Sequence, residues 1–226
     1  MASLPAGATL PLRSDAERNR RALVRAARAV FGERGLDAPL DEIARRAEVG
    51  NATLYRRFPT RCALLAAVFA DTLEDVVAAT ERAIADPDPW SAFANHVTFL
   101  CELQATDRGL ADLLTTTIRG VPALERLRKR AHDGFVRIAD RAIDNGTLRA
   151  DFRPEDIVLL LMANAGLVHR TAADAPAAWR RLLSYTLDGL AMPSAEPAAP
   201  SPGHEAVQKA MTTLAKSFGC HKPGRR

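Results

Sequence analysis

Apolar residues recur along most of the chain at intervals of three and four, which is the spacing of one face of an α-helix. The N-terminal part of this pattern predicts one long helix and two short ones, at residues 18–34, 41–47 and 51–58. Pro59 ends the third helix, and the hydroxyl of Thr60 is suited to cap the next one. Because runs of alternating polar and apolar residues are missing, the sequence predicts an all-α fold.

Proline, glycine and asparagine divide the rest of the chain into further helices. In Asp86-Pro87-Asp88-Pro89, the aspartate at 88 can cap a helix whose first position Pro89 occupies. The pattern predicts six helices in the body of the protein, at 60–85, 90–105, 107–117, 122–144, 155–170 and 174–190. A linker rich in Pro, Ala and Ser, from 193 to 203, then leads to a short amphipathic tail helix at 206–218.

The segment 40–65 carries the most informative pattern in the chain, two short helices joined by a tight turn at Glu48-Val49-Gly50. In the second of these helices, Leu54 and Phe58 lie four residues apart and are expected to pack inward. Its other faces present amide, hydroxyl and guanidinium groups: Asn51, Thr53, Tyr55, Arg56 and Arg57. Such groups bind base edges and phosphates, so this helix is expected to enter a DNA major groove. Similar helix pairs occur in proteins that do not bind DNA, and the pattern alone leaves both interpretations open.

The distribution of charge favours the interpretation as a DNA-binding module. Residues 1–61 contain 12 Arg and 7 acidic residues, a net charge of +5, whereas residues 62–190 carry a net charge of −4. The segment after residue 190 has a net charge of +3. A basic module on an acidic body is suited to neutralise phosphates.

The N-terminal region, residues 15–70, resembles the DNA-binding domain of TetR-type transcriptional regulators. The resemblance rests on ALVRAARAVFGERG in the first helix, IARRA before the turn, and TLYRRF after it, and VGNATLYRRFPTR is most similar to a branch common in actinobacterial regulators. The resemblance implies a three-helix helix-turn-helix domain followed by about six helices that bind an effector and form a dimer. It divides the chain into an arm at 1–14, a DNA-binding domain at 15–61, an effector and dimerisation domain at 62–190, and the linker and tail at 191–226.

Three positions depart from the pattern of that family. Glu48 stands at the turn position usually held by Gly, so the turn is expected to depend on Gly50 instead. Pro39 replaces a Ser or Thr that commonly caps the second helix and contacts a phosphate. Asp41 lies where some relatives have a base-reading Arg, so their half-site preference does not carry over.

The predicted DNA contacts combine these residues with the start of the fourth helix. Ala52 permits close approach of the backbone to DNA, Arg45 is expected to contact the DNA backbone, and Arg61 is expected to bind phosphate together with the N-terminal amides of its helix. The predicted set is Asn51, Ala52, Thr53, Tyr55, Arg56, Arg57, Arg61 and Arg45.

The resemblance also implies a small-molecule pocket in the body. A predominantly apolar lining with few polar groups is typical of such pockets, although a helical core has the same composition. The candidate lining residues are Trp90, Phe93, His96, Val97, Leu100, Cys101, Leu113, Leu114, Thr117, Met162, Ala165, Gly166 and His169. Each of them is also compatible with an ordinary core position.

The last two body helices carry long apolar faces, and in the family such helices pair with their copies as a four-helix bundle. The candidate dimer residues are Ile157, Leu160, Leu161, Asn164, Val168, Trp179, Leu182, Leu183, Thr186 and Leu190. A two-fold dimer presents two recognition helices and so matches a palindromic site, with groove centres about 34–36 Å or a multiple apart.

The residue inventory argues against an enzyme and against a metal or cofactor site. The five His are scattered, and Cys220-His221 does not have the spacing of a zinc site. No phosphate-binding Gly loop or nucleophile elbow is present. With no apolar run of about 18 residues and no signal-like stretch, a cytoplasmic bacterial protein is expected.

The sequence therefore predicts a DNA-binding transcriptional regulator, a homodimeric repressor released from its palindromic operator by an apolar or amphipathic effector. Two alternatives stay open. The first is a ligand-independent DNA-binding protein of the nucleoid type. The second is a thiol-based redox sensor, since Cys62 lies beside Arg61 at a helix N-terminus, a setting that favours the thiolate.

Overall fold

The computed structural model describes residues 10–118, 120–192 and 196–218, and these ranges form ten α-helices without a β-strand. The helices are α1 (Leu10–Arg34), α2 (Leu40–Arg46), α3 (Asn51–Arg57), α4 (Arg61–Ala85), α5 (Pro89–Thr106), α6 (Arg108–Leu114), α7 (Pro122–Asp144), α8 (Asp156–Thr171), α9 (Ala178–Leu190) and α10 (His204–Ser217). The predicted all-α fold, with an N-terminal helix-turn-helix domain and a helical C-terminal domain, is confirmed.

Local signals in the sequence set the starts of several helices. The Thr60 hydroxyl accepts a hydrogen bond from the Ala63 N–H at 3.1 Å and caps α4. The Asp88 carboxylate accepts from the Ser91 N–H at 3.0 Å and caps α5, with a proline in the first turn of that helix. These side chains satisfy N–H groups that have no partner within the helix, as the sequence predicts.

Two helix starts differ from the prediction by more than two residues. The helix α1 begins at Leu10, eight residues before the predicted start and inside the expected arm. Pro11 lies in its first turn, where a missing N–H group removes no helical hydrogen bond, so the helix continues upstream of residue 18. The helix α9 begins at Ala178 rather than at residue 174, because the chain still forms turns around Pro176.

The N-terminal helices and α6 share one hydrophobic core. Phe31 of α1 and Phe69 of α4 are fully buried, and their ring centroids lie 6.3 Å apart. Leu110 and Leu113 of α6 belong to the same cluster. Because α6 lies in the body of the chain, this core joins the DNA-binding module to the body.

A second core fills the space between α5, α7, α8 and α9. Phe93 lies at its centre, 5.9 Å from Phe135 and 5.4 Å from Phe152 between ring centroids. The long helices α4 and α7 pack closely at Gly134, where an added Cβ would lie 2.4 Å from Cγ2 of Thr80. Glycine at this position therefore permits the close contact between the two helices.

Backbone and side-chain hydrogen bonds hold the segment that follows α9 against the body. An isolated β-bridge joins Leu148 and Ala191. The Ala198 N–H donates to the Asp151 carboxylate at 2.7 Å, and Arg149 donates to the Glu196 carbonyl at 2.8 Å. Residues 196 and 198, which precede α10, are therefore held against the body. Among the helices of the described ranges, none is both long and apolar enough to cross a membrane.

Candidate DNA-binding face and effector cavity

The turn between α2 and α3 depends on Glu48 and not on Gly50. Glu48 has a φ of +56°, in the left-handed region, whereas Gly50 is extended with a φ of −72°. The Glu48 N–H donates to the Arg45 carbonyl at 3.1 Å and the Val49 N–H donates to the Ala44 carbonyl at 3.0 Å. These bonds end α2 as glycine-capped helices end, so the expectation that Gly50 replaces the missing turn glycine is wrong.

The helix α3 buries one side and exposes the other. Leu54 is 1% exposed and Phe58 is 4% exposed, since both pack into the N-terminal core. The predicted DNA-contacting side chains form the opposite side, with Thr53 half-buried and the others exposed: Asn51, Ala52, Thr53, Tyr55, Arg56 and Arg57. Arg56 and Arg57 have no hydrogen-bond or ion-pair partner among the described residues. Their guanidinium groups are therefore available to an anionic partner.

Ion pairs fix α2 against α1. Arg46 pairs with Glu33 at 2.7 Å, and this hydrogen bond lowers the pKa of the Glu33 carboxyl. Arg34 pairs with Glu42 in the same way. Arg45 is exposed at the end of α2. Pro39 stands at the N-cap of α2 without a side-chain cap bond, as the departure noted in the sequence implies.

Arg61 joins the first turn of α4 to the turn between α1 and α2. Its Nη1 donates to the carbonyl oxygens of Leu36 and Ala38, both at 2.8 Å. The predicted contact of Arg61 with phosphate would compete with these two bonds. In the structure, this side chain joins the DNA-binding module to α4.

A cavity of about 500 Å³ lies in the body between α4, α5, α7, α8 and α10. Four of the residues predicted to line a pocket do line it: His96, Leu100, Leu114 and Thr117. The largest contribution comes from α7, which supplies Arg128, His132 and Phe135 among others. The tail helix α10 supplies His204, Val207, Gln208 and Met211.

The remaining predicted pocket residues lie elsewhere. Phe93, Val97, Cys101 and Leu113 are buried in the two cores. Trp90 lines a second, shallower cavity of about 420 Å³ against α9. Met162, Ala165, Gly166 and His169 lie outside the cavity lining, and Gly166 and His169 are exposed. The rotation of α8 directs Ile157 and Leu161 into the cavity instead.

Sequence reasoning missed the α7 and α10 walls for a physical reason. The spacing of Val207 and Met211 shows that α10 has an apolar face, but spacing along one helix does not show which surface that face contacts. A strongly polar helix such as α7 gives no signal of a pocket, because its charged residues are equally typical of a solvated face.

His96 is the most buried titratable group of the cavity wall, with 4% of its surface exposed. Burial lowers its pKa to about 4, so the imidazole is neutral at pH 7. Its Nδ1 atom is buried and has no hydrogen-bond partner among the described residues. A buried imidazole in a cavity wall, without a hydrogen-bond partner among the described residues, is a group to which a ligand can add a hydrogen bond.

Comparison with known proteins agrees with these features. Residues 23–68 match the model of bacterial regulatory proteins of the tetR family, and residues 88–192 match the C-terminal domain of SbtR-like transcriptional regulators. A solved TetR transcription regulatory protein from Mycobacterium vanbaalenii is 31% identical over 80% of this chain and 100% of its own, with a TM-score of 0.46. The chain belongs to the TetR family. No protein of curated function matches it.

Two further solved structures illustrate the range of the similarity. A TetR transcriptional regulator from Streptomyces coelicolor is 32% identical over 76% of this chain and 98% of its own, with a TM-score of 0.48. The regulator FadR from Bacillus subtilis, solved in complex with stearoyl-CoA, is 18% identical over 75% of this chain and 98% of its own, with a TM-score of 0.55. FadR therefore shares the fold. Proteins of the TetR family are transcription regulators and not enzymes.

In this TetR chain, half of the residues predicted to form the dimer interface lie inside the subunit. Five of them are buried: Ile157, Leu161, Asn164, Trp179 and Leu183. Leu160, Val168, Thr186 and Leu190 are half-buried, and Leu182 is exposed. Asn164 illustrates the correction, since its Nδ2 donates to the Gln104 side chain at 2.9 Å within the core. The apolar stripe that suggested an interface packs against α5.

The outer surface of α8 and α9 presents a different set of side chains. Leu159 and Leu182 are 40% and 37% exposed, and Tyr185 is 58% exposed. Gly166 and Gly189 have no atom within 4 Å of an added Cβ. We name these five residues the α8–α9 face. It combines exposed apolar side chains with glycines that let another helix approach closely.

The described ranges of this TetR chain contain two cysteines. Cys62 and Cys101 are buried, and burial raises the pKa of the Cys101 thiol to about 12. Within the described ranges, no group of three or more His, Cys, Asp or Glu side chains lies close enough to hold a metal ion. Cys220 and His221 lie outside the described residues.

Proposed function

We propose that the protein is a homodimeric transcriptional repressor that binds a palindromic operator through α3 and releases it when a small apolar or amphipathic effector occupies the cavity. The observation that carries the DNA-binding part is the exposed side of α3, on which Arg56 and Arg57 have no acidic partner among the described residues. Some surface arginines on other helices form ion pairs, such as Arg46 with Glu33 and Arg130 with Glu81. Unpaired guanidinium groups beside amide and hydroxyl groups suit phosphates and base edges.

The α8–α9 face supports the dimeric part of the proposal. Exposed leucine and tyrosine side chains on two adjacent helices bury apolar surface when the same face of a second subunit covers them. The open space above Gly166 and Gly189 allows the backbones of paired helices to approach. A two-fold axis through this face would give the protein two recognition helices.

The position of α6 supports coupling between the cavity and the DNA-binding module. Leu114, at the end of α6, lines the cavity. Two residues earlier, the Asp112 carboxylate accepts a hydrogen bond from the Leu36 N–H at 2.8 Å, and at the start of α6 Asp107 pairs with Arg28 of α1 at 3.2 Å. A ligand that displaces Leu114 would therefore act on a helix that holds the DNA-binding module directly.

Selection of bound sites from a random DNA library tests the proposed function. The winning sequence is titrated by fluorescence anisotropy at several salt concentrations, with scrambled DNA of the same length as the control. We expect a palindrome bound about a thousandfold more tightly than the scrambled DNA. Absence of enrichment, with steeply salt-dependent binding to all DNA, would instead establish the ligand-independent nucleoid-type protein.

A further inference from the structure

The tail helix α10 lies beyond residue 192, where the match to the family's C-terminal domain ends, and yet it forms one wall of the cavity. We propose that α10 forms part of the effector-binding site, and that this site binds an uncharged, largely apolar molecule with one hydroxyl group between α10 and His96. The inference rests on the proposed function, since it assigns the ligand class and a binding element to the same cavity.

The first support is the way in which α10 packs. Val207 and Met211 are each 4% exposed, and Ala215 is buried beside them on the same side of the helix. The Thr117 N–H donates to the Met211 carbonyl at 3.3 Å, and the Thr117 hydroxyl donates to the Gln208 side chain at 3.4 Å. Without α10, the apolar side of the cavity formed by α7 and α8 would be open to water.

The second support is that the body fixes the segment leading to α10. The Asp151 carboxylate accepts from the Ala198 N–H, and the Glu155 carboxylate accepts from the Ser201 hydroxyl at 3.1 Å. These contacts place the start of α10 close to α7, where the His132 and His204 rings lie 6.2 Å apart. Ala198 and Ser201 are therefore held against the body, and α10 meets the cavity at a defined place.

The chemistry of the lining indicates the class of ligand. The charged side chains around the cavity already have partners. Arg128 donates to the Leu113 carbonyl at 2.7 Å, Lys129 pairs with Asp133 at 2.5 Å, and Glu125 accepts from the Gly120 N–H at 2.7 Å. Burial in an apolar site costs an ionised ligand free energy, and the same burial lowers the pKa of the Arg128 guanidinium to about 10.

His96 supplies a buried polar contact. The imidazole is neutral, so it offers one N–H donor and one acceptor nitrogen. A hydroxyl group both donates and accepts, and it therefore fits either tautomer. A hydrogen bond between the ligand hydroxyl and this imidazole would give the buried ring a polar partner that the described residues do not supply.

The test uses the full chain and three small probes of the same ring size. The probes are 2-naphthol, which carries a hydroxyl group, 2-naphthoate, which is charged, and 2-methylnaphthalene, which has no polar group. Gln208→Trp places a large side chain in the cavity from α10, whereas Ala210→Trp adds the same side chain at an exposed position of that helix. Dissociation constants are measured by calorimetry, and operator affinity is measured on the same preparations.

We expect the unmodified protein to bind 2-naphthol at least about tenfold more tightly than 2-naphthoate. Gln208→Trp should weaken binding of 2-naphthol by at least about tenfold, and Ala210→Trp should leave it within about twofold. His96→Leu should remove the preference for 2-naphthol over 2-methylnaphthalene.

Three results would overturn the inference. Equal binding of 2-naphthol by Gln208→Trp and the unmodified protein would show that α10 is not part of the site. Tighter binding of 2-naphthoate would reject the ligand class. Failure of the unmodified protein to bind any of the probes would reject the cavity as an effector site and with it the release mechanism. Selective operator binding, in contrast, decides the DNA-binding part of the proposed function independently of the tail.

Discussion

Arg56 and Arg57 illustrate how much a single side chain depends on its neighbours. Both are exposed on α3, and the described residues around them supply no acidic partner. Each guanidinium group is therefore available to bind an external anion. Arg46, at the end of the preceding helix α2, forms an ion pair with Glu33. The same residue type therefore stabilises the fold at one position and is available for binding at another.

Replacing Arg57 by Ala should weaken binding to the selected operator and reduce its dependence on salt. Each phosphate contact that is lost lowers the slope of the logarithm of affinity against the logarithm of salt concentration by about 0.9. Anisotropy titrations at four or more salt concentrations measure this slope. The matched control is Arg126→Ala, at an exposed position of α7. A slope that is the same in both variants would contradict a phosphate contact by Arg57.

His96 makes stability depend on pH in a defined window. Since burial lowers the pKa of this side chain to about 4, against an ordinary value of 6.5, the unfolded chain binds the proton first as pH falls. The contribution of a neutral His96 is complete above pH 6.5 and is lost progressively between pH 6.5 and pH 4. The loss amounts to roughly 3 kcal/mol in the free energy of unfolding.

This dependence is measured by urea unfolding at several pH values for the unmodified protein and for His96→Gln. We expect the unmodified protein to lose roughly 3 kcal/mol more than the variant between pH 7 and pH 4. His169→Gln, at an exposed position of α8, serves as the control and should follow the unmodified protein. Parallel curves for all three proteins would show that His96 is not kept neutral by burial.

Among the helices, the contact between α4 and α7 depends most clearly on residue size. The clash that a Cβ at Gly134 would make is with a single methyl group, Cγ2 of Thr80. The hydroxyl of Thr80 donates to the Val76 carbonyl at 2.8 Å and is not involved in the clash. Removal of that methyl group alone should therefore make room at the contact.

Gly134→Ala should lower the free energy of unfolding by about 1–3 kcal/mol, because it overpacks the contact between the helices. Thr80→Ser removes Cγ2 and keeps the hydroxyl, so the double variant should recover most of this loss. A double-mutant cycle measured by urea unfolding gives the coupling free energy. If the two effects simply add, the helices do not approach each other as closely as the structure shows.

The elements that could be predicted are those fixed by local interactions. Thr60 and Asp88 cap helices through neighbours three residues away, and Leu54 and Phe58 face inward because they share one side of a single short helix. The residues that line the cavity or cover the subunit depend on how α8 is rotated about its axis. Ile157 belongs to the same apolar stripe in either rotation, so spacing alone did not separate the cavity wall from an interface.

The backbone at Glu48 shows a different limit. Its sequence position suggested that a nearby glycine would supply the unusual angles, and the structure places those angles on Glu48 itself. The left-handed conformation costs a residue with a side chain roughly 1–2 kcal/mol, and the hydrogen bonds that end α2 offset this cost. Those bonds close the C-terminal end of α2, and such a balance is not visible in residue preferences.

At the scale of the whole molecule, the α8–α9 face is the surface on which assembly is expected. Leu182→Glu introduces a charge at the centre of this face and should shift the dimer toward monomers, measured by sedimentation at micromolar concentration. Affinity for the palindrome should fall by at least about a hundredfold, since each monomer binds a half-site alone. Leu214→Glu is the matched control, because Leu214 is 39% exposed on α10. Loss of the dimer in the control alone would move the interface to the tail helix.

Positive and negative charge are concentrated in different parts of the molecule. The positive N-terminal region contains α1 to α3, and the body with its net charge of −4 contains the cavity and the α8–α9 face. We expect the negative body to repel DNA, which would confine binding to the end of the molecule where the recognition helix lies. The orientation on DNA would then be set before any base is contacted.

The two hydrogen bonds from Arg61 to the carbonyls of Leu36 and Ala38 have a geometric consequence. They attach the DNA-binding module to the first turn of α4, a helix of 25 residues and about 37 Å in length. A tilt of only about 5° around the far end of such a helix displaces its tip by about 3 Å. In a pair of subunits, the two displacements would change the separation of the two recognition helices by up to about 6 Å. The distance between successive major-groove sites on one side of DNA is about 34–36 Å. A small tilt of α4 would thus be large enough that the two recognition helices no longer match the spacing of successive major grooves.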